Sequence, residues 1–520
     1  MLYLDVHFFS NLLFLSFFIL EIQSSDLIDK PNVILILADD LGFGDLSSYG
    51  HPTQEVGAID QLAAEGIRFT QWYSPSSLCS PSRAAMLTGR LPVRLGVYGD
   101  LQVFLHGSQN GLPKEEVTIP EALKRHGYKT GMTGKWHLGI NEFEANDGRH
   151  LPVHHGFDFV GYNLPFTNHW LCDDTGIHRT YSTPSLCFLY YNTTIVQQPI
   201  KLQELTSSLV LDAKAFIHEN KDDPFFLYFS LNNVHDAMFA GNKFKGKSKR
   251  GIYGDCVNDM HWAVGEVIDT LKQLRLEKKT LVLFLSDHGP HTELGNEGGI
   301  TGPFRGNKGT SWEGGYRVPA IAWWPGMIKP GQTSNAVISS LDLYPTIINI
   351  INGNISNNLL YDGVNVKNAI LENADIGIRM LFYYCDDRLT AVRYGSYKVH
   401  LYTFGEYDAS VYNVGGPKHG IPQNNYYHCL DCYDDCVKGH NPPIMFNIDI
   451  DPSELYPLDI NTHADVLEKV FEELQKHKET LIVKPALLDT WIKSLVPCCN
   501  PPYCICDKTN QNLQSCHLRQ

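Results

Sequence analysis

"NVILILADD", residues 32–40, runs through apolar residues without a polar break from Val33 to Ala38 and ends in two adjacent acids, Asp39 and Asp40. An apolar run without alternation fits a strand covered on both faces, as in a parallel sheet held between two helical layers. Two further stretches read the same way: "PFFLYFSLNNVHD" (224–236) and "TLVLFLSDHG" (280–289). Helical patterns such as "TIPEALKRHG" (118–127) and "LVLDAKAFIHEN" (209–220) lie between them. That alternation predicts an α/β domain around a mostly parallel central sheet. Open parallel sheets bind ligands beyond the carboxyl ends of their strands, and Asp39, Asp40, His235, Asp287 and His288 all fall at such ends.

After about residue 375 the pattern changes. "RLTAVRYGSYKVHLYTF" and "PPIMFNIDID" read as antiparallel strands around turn residues. "ADVLEKVFEELQKHKETL" then places Val466, Val470, Phe471 and Leu474 on one helical face. The expected organisation is a signal peptide over 1–24, a catalytic α/β domain over 25–375, and a smaller α+β domain with an antiparallel sheet over 376–520, closed by a cysteine-rich tail.

The 520 residues carry 19% charged and 43% hydrophobic side chains, ordinary for a globular protein. A net charge of −15 argues against nucleic-acid binding, because no excess of Lys and Arg is there to neutralise phosphates. The apolar stretch from Phe8 to Leu20 has the length of a signal-peptide core, and Ser24 and Ser25 offer small residues for cleavage. Asp5 and the lack of Lys or Arg before that core depart from the pattern, so an uncleaved anchor is the alternative. Sequons at Asn192 and Asn354 fit a secretory route to a lumenal, lysosomal or secreted destination. The thirteen cysteines fit an oxidising compartment, and setting Cys79 aside leaves an even twelve. The clusters "CLDCYDDC" and "CCNPPYCIC" lack the histidine partners and paired spacing of zinc sites, which favours disulfides.

Cys79 itself sits in "LCSPSRAAMLTGR" (78–90), with Pro81 and Arg83 close behind and a short helical run leading away. From these residues alone a thiol nucleophile, a disulfide half and a modified residue are all open. Adjacent acids often cap a turn, yet after a buried strand an ionised pair needs cations or a metal. Oxygen-rich ligands of this kind, with "SDHG" at a second strand end, suit Ca²⁺ or Mg²⁺ better than zinc. In "GKWHLG", Lys135 and His137 stand two apart, so an extended segment puts both on one side. "NKGTSWEGG" offers Lys308 in a glycine-rich loop.

Taken together, these segments resemble the sulfatases, in order, from Pro31 to the last cysteines. The Cys-x-Pro-x-Arg frame followed by "LTGR", then "ADDLGFGD", "GKWHLG", "SDHG" and the Lys308 loop carry the resemblance. "LTGRLPVRLGVY" is similar to the arylsulfatase A branch, and "GIYGDCVNDMHWAVGEVI" and "PCCNPPYCICD" to the steroid sulfatases. The long apolar membrane hairpin of the latter is replaced by a polar stretch from His169 to Val196.

The resemblance implies an alkaline-phosphatase-like large domain and hydrolysis of sulfate monoesters. It implies that a formylglycine-generating enzyme oxidises Cys79 to an aldehyde during secretion, whose hydrate attacks sulfur. It further implies a divalent cation, Ca²⁺, on Asp39, Asp40, Asp287, His288 and the modified Cys79. His288 departs from the Asn common in this branch. Arg83 would hold the hydrate, Lys135 and Lys308 the sulfate and leaving oxygen, and His137 would deprotonate the second hydroxyl. His235 would contact or protonate the leaving group, and Thr167, where many relatives carry Ser, would contact substrate. The competing readings are a phosphatase or phosphodiesterase of the same fold and an inactive sulfatase-like binding protein.

Overall fold

The computed structural model describes residues 30–168, 172, 187–355, 359–404, 412–413, 416–417, 432–433 and 437–497. The expected signal peptide and cysteine-rich tail lie outside them. The central sheet takes, in chain order, β1 (Asn32–Ala38), β2 (Ile67–Tyr73), β3 (Lys129–Lys135), β4 (Phe159–Leu164), β5 (Leu189–Tyr191) and β6 (Thr194–Gln197). It continues with β7 (Phe225–Ser230), β8 (Thr280–Ser286), β9 (Arg317–Trp323), β10 (Gln332–Ser334) and β11 (Ile338–Ser339). Among the described residues these eleven strands run in the order β10-β2-β9-β8-β1-β7-β3-β4-β5-β6, with β11 against β2.

All three expected buried strands form, and they are neighbours: β1 lies between β8 and β7 and is parallel to both. β3 extends this parallel set beside β7, whereas β9 is antiparallel to β8. The reason for the unbroken apolar run is visible in β1. Val33, Leu35 and Leu37 enter one hydrophobic core and Ile34, Ile36 and Ala38 the other, so helices cover both faces. The helices Leu202–Glu219 and Ile252–Gln273 pack on the second face. The carboxyl ends of β8, β1, β7 and β3 therefore lie side by side, and the loops leaving them share one edge.

The second unit is a four-stranded antiparallel sheet of β12 (Met380–Cys385), β13 (Arg388–Tyr394), β14 (Tyr397–Phe404) and, after a short pair β15 (Tyr412–Asn413) and β16 (Gly416–Pro417), β17 (Val437–Asn447). The helix Ala464–Thr480 packs on it. Its buried face is Val470, Leu474 and His477, with Val466 partly covered. Phe471 does not share that face and is 46% exposed. It follows Val470 by a single residue, and one helical step turns a side chain about 100° away from its neighbour.

Two disulfides form among the described residues, Cys172–Cys187 and Cys385–Cys432. The parity reading needs correction, because Cys256 is a second free thiol besides Cys79. It is buried in the helix Ile252–Gln273, its Sγ donates to the Phe239 carbonyl at 2.8 Å, and no cysteine among the described residues pairs with it. Asn192 and Asn354, the two sequon asparagines, are exposed.

The two sheets meet over a buried charge network. Lys398 on β14 lies 3.0 Å from Glu313 and 3.3 Å from Glu454, and all three side chains are fully buried. Glu313 also accepts from the Tyr73 hydroxyl at 2.6 Å and from Arg317 at 3.3 Å. Burial opposes the charge on Glu313, but Lys398, Arg393 and Arg317 outweigh it and hold its carboxyl well below the usual glutamate range. A carboxylate with a depressed pKa contributes stability above its ordinary value, about 4.3, and that contribution is lost as pH falls below it. Replacement Glu313→Gln leaves Lys398 half-compensated. It is expected to cost about 3 kcal/mol at neutral pH, read as a lower urea midpoint, and to flatten the loss of stability on acidification below about pH 4.3. An unchanged midpoint and acid profile would show that the network does not hold the two sheets together.

Candidate active site

Cys79 opens the helix Cys79–Thr88. Pro81 is tolerated in the first turn, where backbone N–H groups have no helical partner, and Gly89 at φ +70° ends the helix by donating to the Ala85 carbonyl at 2.8 Å. The helix is entirely buried and points its N-terminus at the carboxyl edge of the sheet. Partial positive charge at a helix N-terminus favours an anion there.

Arg83, one turn into this helix, is the hub. Its guanidinium donates to Asp287 Oδ2 from Nε at 3.1 Å and from Nη2 at 2.9 Å, and to Asp39 Oδ1 at 3.3 Å. It also donates to Ser230 Oγ at 2.7 Å. It thus ties the ends of β8, β1 and β7 to the helix that carries Cys79. Lys135, at the end of β3, places Nζ 2.7 Å from both oxygens of Asp39. That approach needs Gly134, which sits at φ +103° and where a Cβ would fall 1.7 Å from the Ser230 carbonyl oxygen. Lys308 reaches in from its loop, with Nζ 2.7 and 2.9 Å from the oxygens of Asp40 and 3.2 Å from His235 Nε2.

His288 Nδ1 lies 2.8 Å from the Gly289 carbonyl oxygen, which can only accept, so Nδ1 carries the proton. Burial opposes charge on this ring, but Asp287, Cys79 and Asp40 outweigh it and raise its pKa to about 9. Nε2, 3.2 Å from Cys79 Sγ and 3.3 Å from Asp40 Oδ1, therefore also carries a proton and offers a lone pair only once a cation displaces it. Ligand atoms of Asp39, Asp40, Cys79 and His288 all lie within 4.8 Å of one another, which fits a divalent cation held mainly by oxygen. Asp287 borders this group, with Oδ1 3.7 Å from His288 Nε2: Oδ2 accepts from Arg83, and Oδ1 accepts the backbone N–H of Asp40 at 3.2 Å and of His288 at 3.0 Å.

His137 is not in an extended segment with Lys135, because its φ of +60° turns the chain into the left-handed region. Its ring is buried against Cys79, and neither nitrogen has a hydrogen-bond partner of ordinary geometry among the described residues. Burial and Lys135 hold its pKa down at about 3, so the ring is neutral and able to accept a proton. His235 is the opposite case. Burial disfavours its charge, but Asp40, Asp39 and Asp236 overcome burial and Lys308 and raise its pKa to about 9. An unperturbed histidine would lose its proton near pH 6.5.

Burial alone would raise the Cys79 thiol, yet Lys135, Lys308 and His288 outweigh it and lower the thiol pKa well below normal. The pocket stabilises negative charge at this atom. Thr167 is buried nearby, and its hydroxyl donates to the Asn168 carbonyl rather than to any of these groups. Ser230, the acceptor for Arg83, and Asp236, whose carboxylate lies 3.1 Å from His235 Nδ1, were not singled out in sequence. Asp236 adjoins His235 in "NVHDA" and could have been found from that adjacency.

The Arg83 hub generates a prediction. Substitution Arg83→Met would leave Asp287 and Asp39 buried with one cation removed, and the expected loss is about 3–5 kcal/mol in urea unfolding. A loss below about 1 kcal/mol would show that the two carboxylates do not depend on it.

Comparison with known proteins follows the same residues. Residues 31–353 match the Sulfatase family and residues 377–506 the C-terminal region of aryl-sulfatase. An arylsulfatase of Hemicentrotus pulcherrimus is 46% identical over 94% of this chain and 89% of its own. A steryl-sulfatase of Rattus norvegicus is 36% identical over 88% of this chain and 90% of its own. Among solved structures, a sulfatase from Pseudoalteromonas sp. superposes with a TM-score of 0.73 at 29% identity, covering 87% of this chain and 90% of its own. Among the described residues no helix is long and apolar enough to cross a membrane.

Proposed function

The chain belongs to the sulfatase family, and from that premise we propose that it hydrolyses sulfate monoesters through a formylglycine made from Cys79 by a formylglycine-generating enzyme. The observation that carries this reading is the electropositive pocket at the helix N-terminus, where Lys135, Lys308 and His288 stabilise a negative charge on the Cys79 position. The aldehyde's hydrate carries two hydroxyls on one carbon. One attacks sulfur and displaces the alcohol, leaving a covalent sulfate ester. Loss of the proton from the other re-forms the carbonyl and expels sulfate.

The chain's residues suit these steps. Arg83 fixes the helix and the strand ends around the hydrate. Lys135 and Lys308 hold the sulfate oxygens and the leaving oxygen. His137, neutral and with its ring against Cys79, takes the proton of the second hydroxyl. His235, protonated up to about pH 9, donates to the departing alcohol. Thr167 lines the substrate side. Asp39, Asp40, Asp287 and His288 with the modified Cys79 would hold one Ca²⁺, which when bound withdraws charge from sulfate oxygens and hydrate. A second cluster, Asp40, His235 and Asp236, also has ligand atoms within 4.8 Å of one another, but the Lys308 ammonium lies against Asp40 and His235 there, which favours one cation over the two of a phosphatase. The disulfides and the exposed Asn192 and Asn354 support folding and glycosylation in the secretory lumen, with a lysosomal or secreted destination.

Peptide mass spectrometry of protein from a secretory host is expected to find an aldehyde at position 79. A fully alkylatable Cys79 thiol in active enzyme would overturn the mechanism. In Cys79→Ser a single hydroxyl can attack but cannot re-form a carbonyl. This variant is expected to turn over at most once and to leave a sulfated serine; repeated turnover would show that the second hydroxyl is dispensable.

If His235 protonates the leaving oxygen, His235→Ala should slow alkyl sulfates by about 10²–10⁴ and aryl sulfates with good leaving groups far less. Equal losses on both classes would remove the proton donation from His235.

A further inference from the structure

Ser80 follows Cys79 in the first turn of the helix Cys79–Thr88, and its hydroxyl joins two loops to that turn. Oγ accepts the backbone N–H of Phe104 at 3.0 Å and donates to the His137 carbonyl at 2.7 Å. Ser80, Phe104 and His137 are exposed by 0%, 0% and 1%, so neither backbone group can turn to water in place of the serine. His137 needs such a hold. Its φ of +60° lies in the left-handed region, which a residue with a Cβ keeps only where its surroundings impose it. The neighbouring peptides are tied elsewhere. The Lys135 carbonyl accepts from Arg83 at 3.3 Å, Trp136 donates its N–H to the Leu164 carbonyl at 2.8 Å, and the Leu138 carbonyl accepts from Leu112 at 2.8 Å. Because Ser80 and Cys79 are consecutive, one hydrogen bond links the His137 peptide to the turn that carries the reacting carbon.

We propose that Ser80 is a positioning residue for the second half of the reaction, its hydroxyl holding the His137 ring at the hydroxyl that must lose a proton; this rests on the sulfate-ester reading above. In that step the O–H bond of the second hydroxyl breaks and its proton passes to the His137 ring. The electron pair left on that oxygen re-forms the carbonyl, the bond from carbon to the sulfate oxygen breaks, and sulfate leaves with that bond's electron pair. The first step, attack on sulfur, makes no use of His137. A misplaced ring therefore delays release and spares attack. A displacement of about 1 Å in a reacting group costs on the order of 10²-fold in rate. Threonine at position 80 keeps the hydroxyl, whereas alanine leaves the Phe104 N–H and the His137 carbonyl buried without it.

The test uses full-length protein from a secretory host, with the aldehyde at position 79 measured by peptide mass spectrometry and every rate expressed per aldehyde. With p-nitrophenyl sulfate, Ser80→Ala is expected to release about one p-nitrophenol per aldehyde in a fast phase, then to turn over about 10–100-fold more slowly than the parent. Quenched samples should carry sulfate on residue 79. Ser80→Thr should restore turnover and remove the accumulation. In a His137→Ala background Ser80→Ala should cost nothing further, because the ring it acts through is gone. Parental turnover in Ser80→Ala, a slow first phase without sulfated residue 79, or a full additional loss in the His137→Ala background would each overturn the positioning and leave the sulfatase reading standing. If Ser80→Ala does not fold, Ser80→Cys, a weaker donor of similar size, is expected to show the same accumulation, and its absence overturns the positioning. If the parent cleaves no sulfate ester, the sulfatase reading fails and crystal structures decide the positioning. A His137 ring displaced in Ser80→Ala and restored in Ser80→Thr supports it, and an unmoved ring overturns it.

Discussion

A guanidinium removed from water is tolerable only when its charge and its N–H groups are met, and Arg83 is fully buried. Its partners include the carboxylates of Asp287 and Asp39, the Ser230 hydroxyl and the Lys135 carbonyl. These four groups stand at the ends of β8, β1, β7 and β3, the parallel strands of the sheet. One side chain thus fixes the distances between strand ends that are remote in sequence, and sets the helix carrying Cys79 against them. The geometry of the pocket depends on this compensation more than on any single group inside it.

Around that hub the charges alternate. Asp39 is matched by Lys135 and Arg83, and Asp40 by Lys308 and, across 3.3 Å, by His288. Two of the histidines around this pocket are driven in opposite directions by what surrounds them. His137 faces Lys135 and burial and stays neutral, whereas His235 faces three carboxylates and stays charged. An acceptor and a donor of protons in one pocket at one pH follow from that placement. The residue type is the same in both cases, and only the neighbours differ.

The smaller sheet contributes to the same construction. Glu313 belongs to the loop region that follows Lys308, and its pairing with Lys398 anchors that region to the second sheet. The backbone of Gly309 also donates to Ser77, two residues before Cys79, at 3.0 Å. The Lys308 loop is therefore held from both sides, by the segment before Cys79 and by the C-terminal unit. This accounts for a long flexible lysine reaching a defined point over Asp40.

The sequence by itself determined the parallel strands, because a strand covered on both faces must be apolar at every position and leaves a run that cannot be missed. It also determined which residues stand at the strand ends, since polar side chains after such a run have only the sheet's edge to occupy. The Cys-x-Pro-x-Arg frame made position 79 legible through its likeness to a family. Only the tertiary structure decided how Arg83 is shared between two carboxylates, that Asp287 serves both Arg83 and the backbone N–H groups of Asp40 and His288, and that His288 turns Nε2 toward Cys79. It also decided that Cys256 has no cysteine partner among the described residues and that Phe471 faces outward. These depend on contacts between segments hundreds of residues apart and on single left-handed turns such as His137, for which no periodicity leaves a trace in the chain.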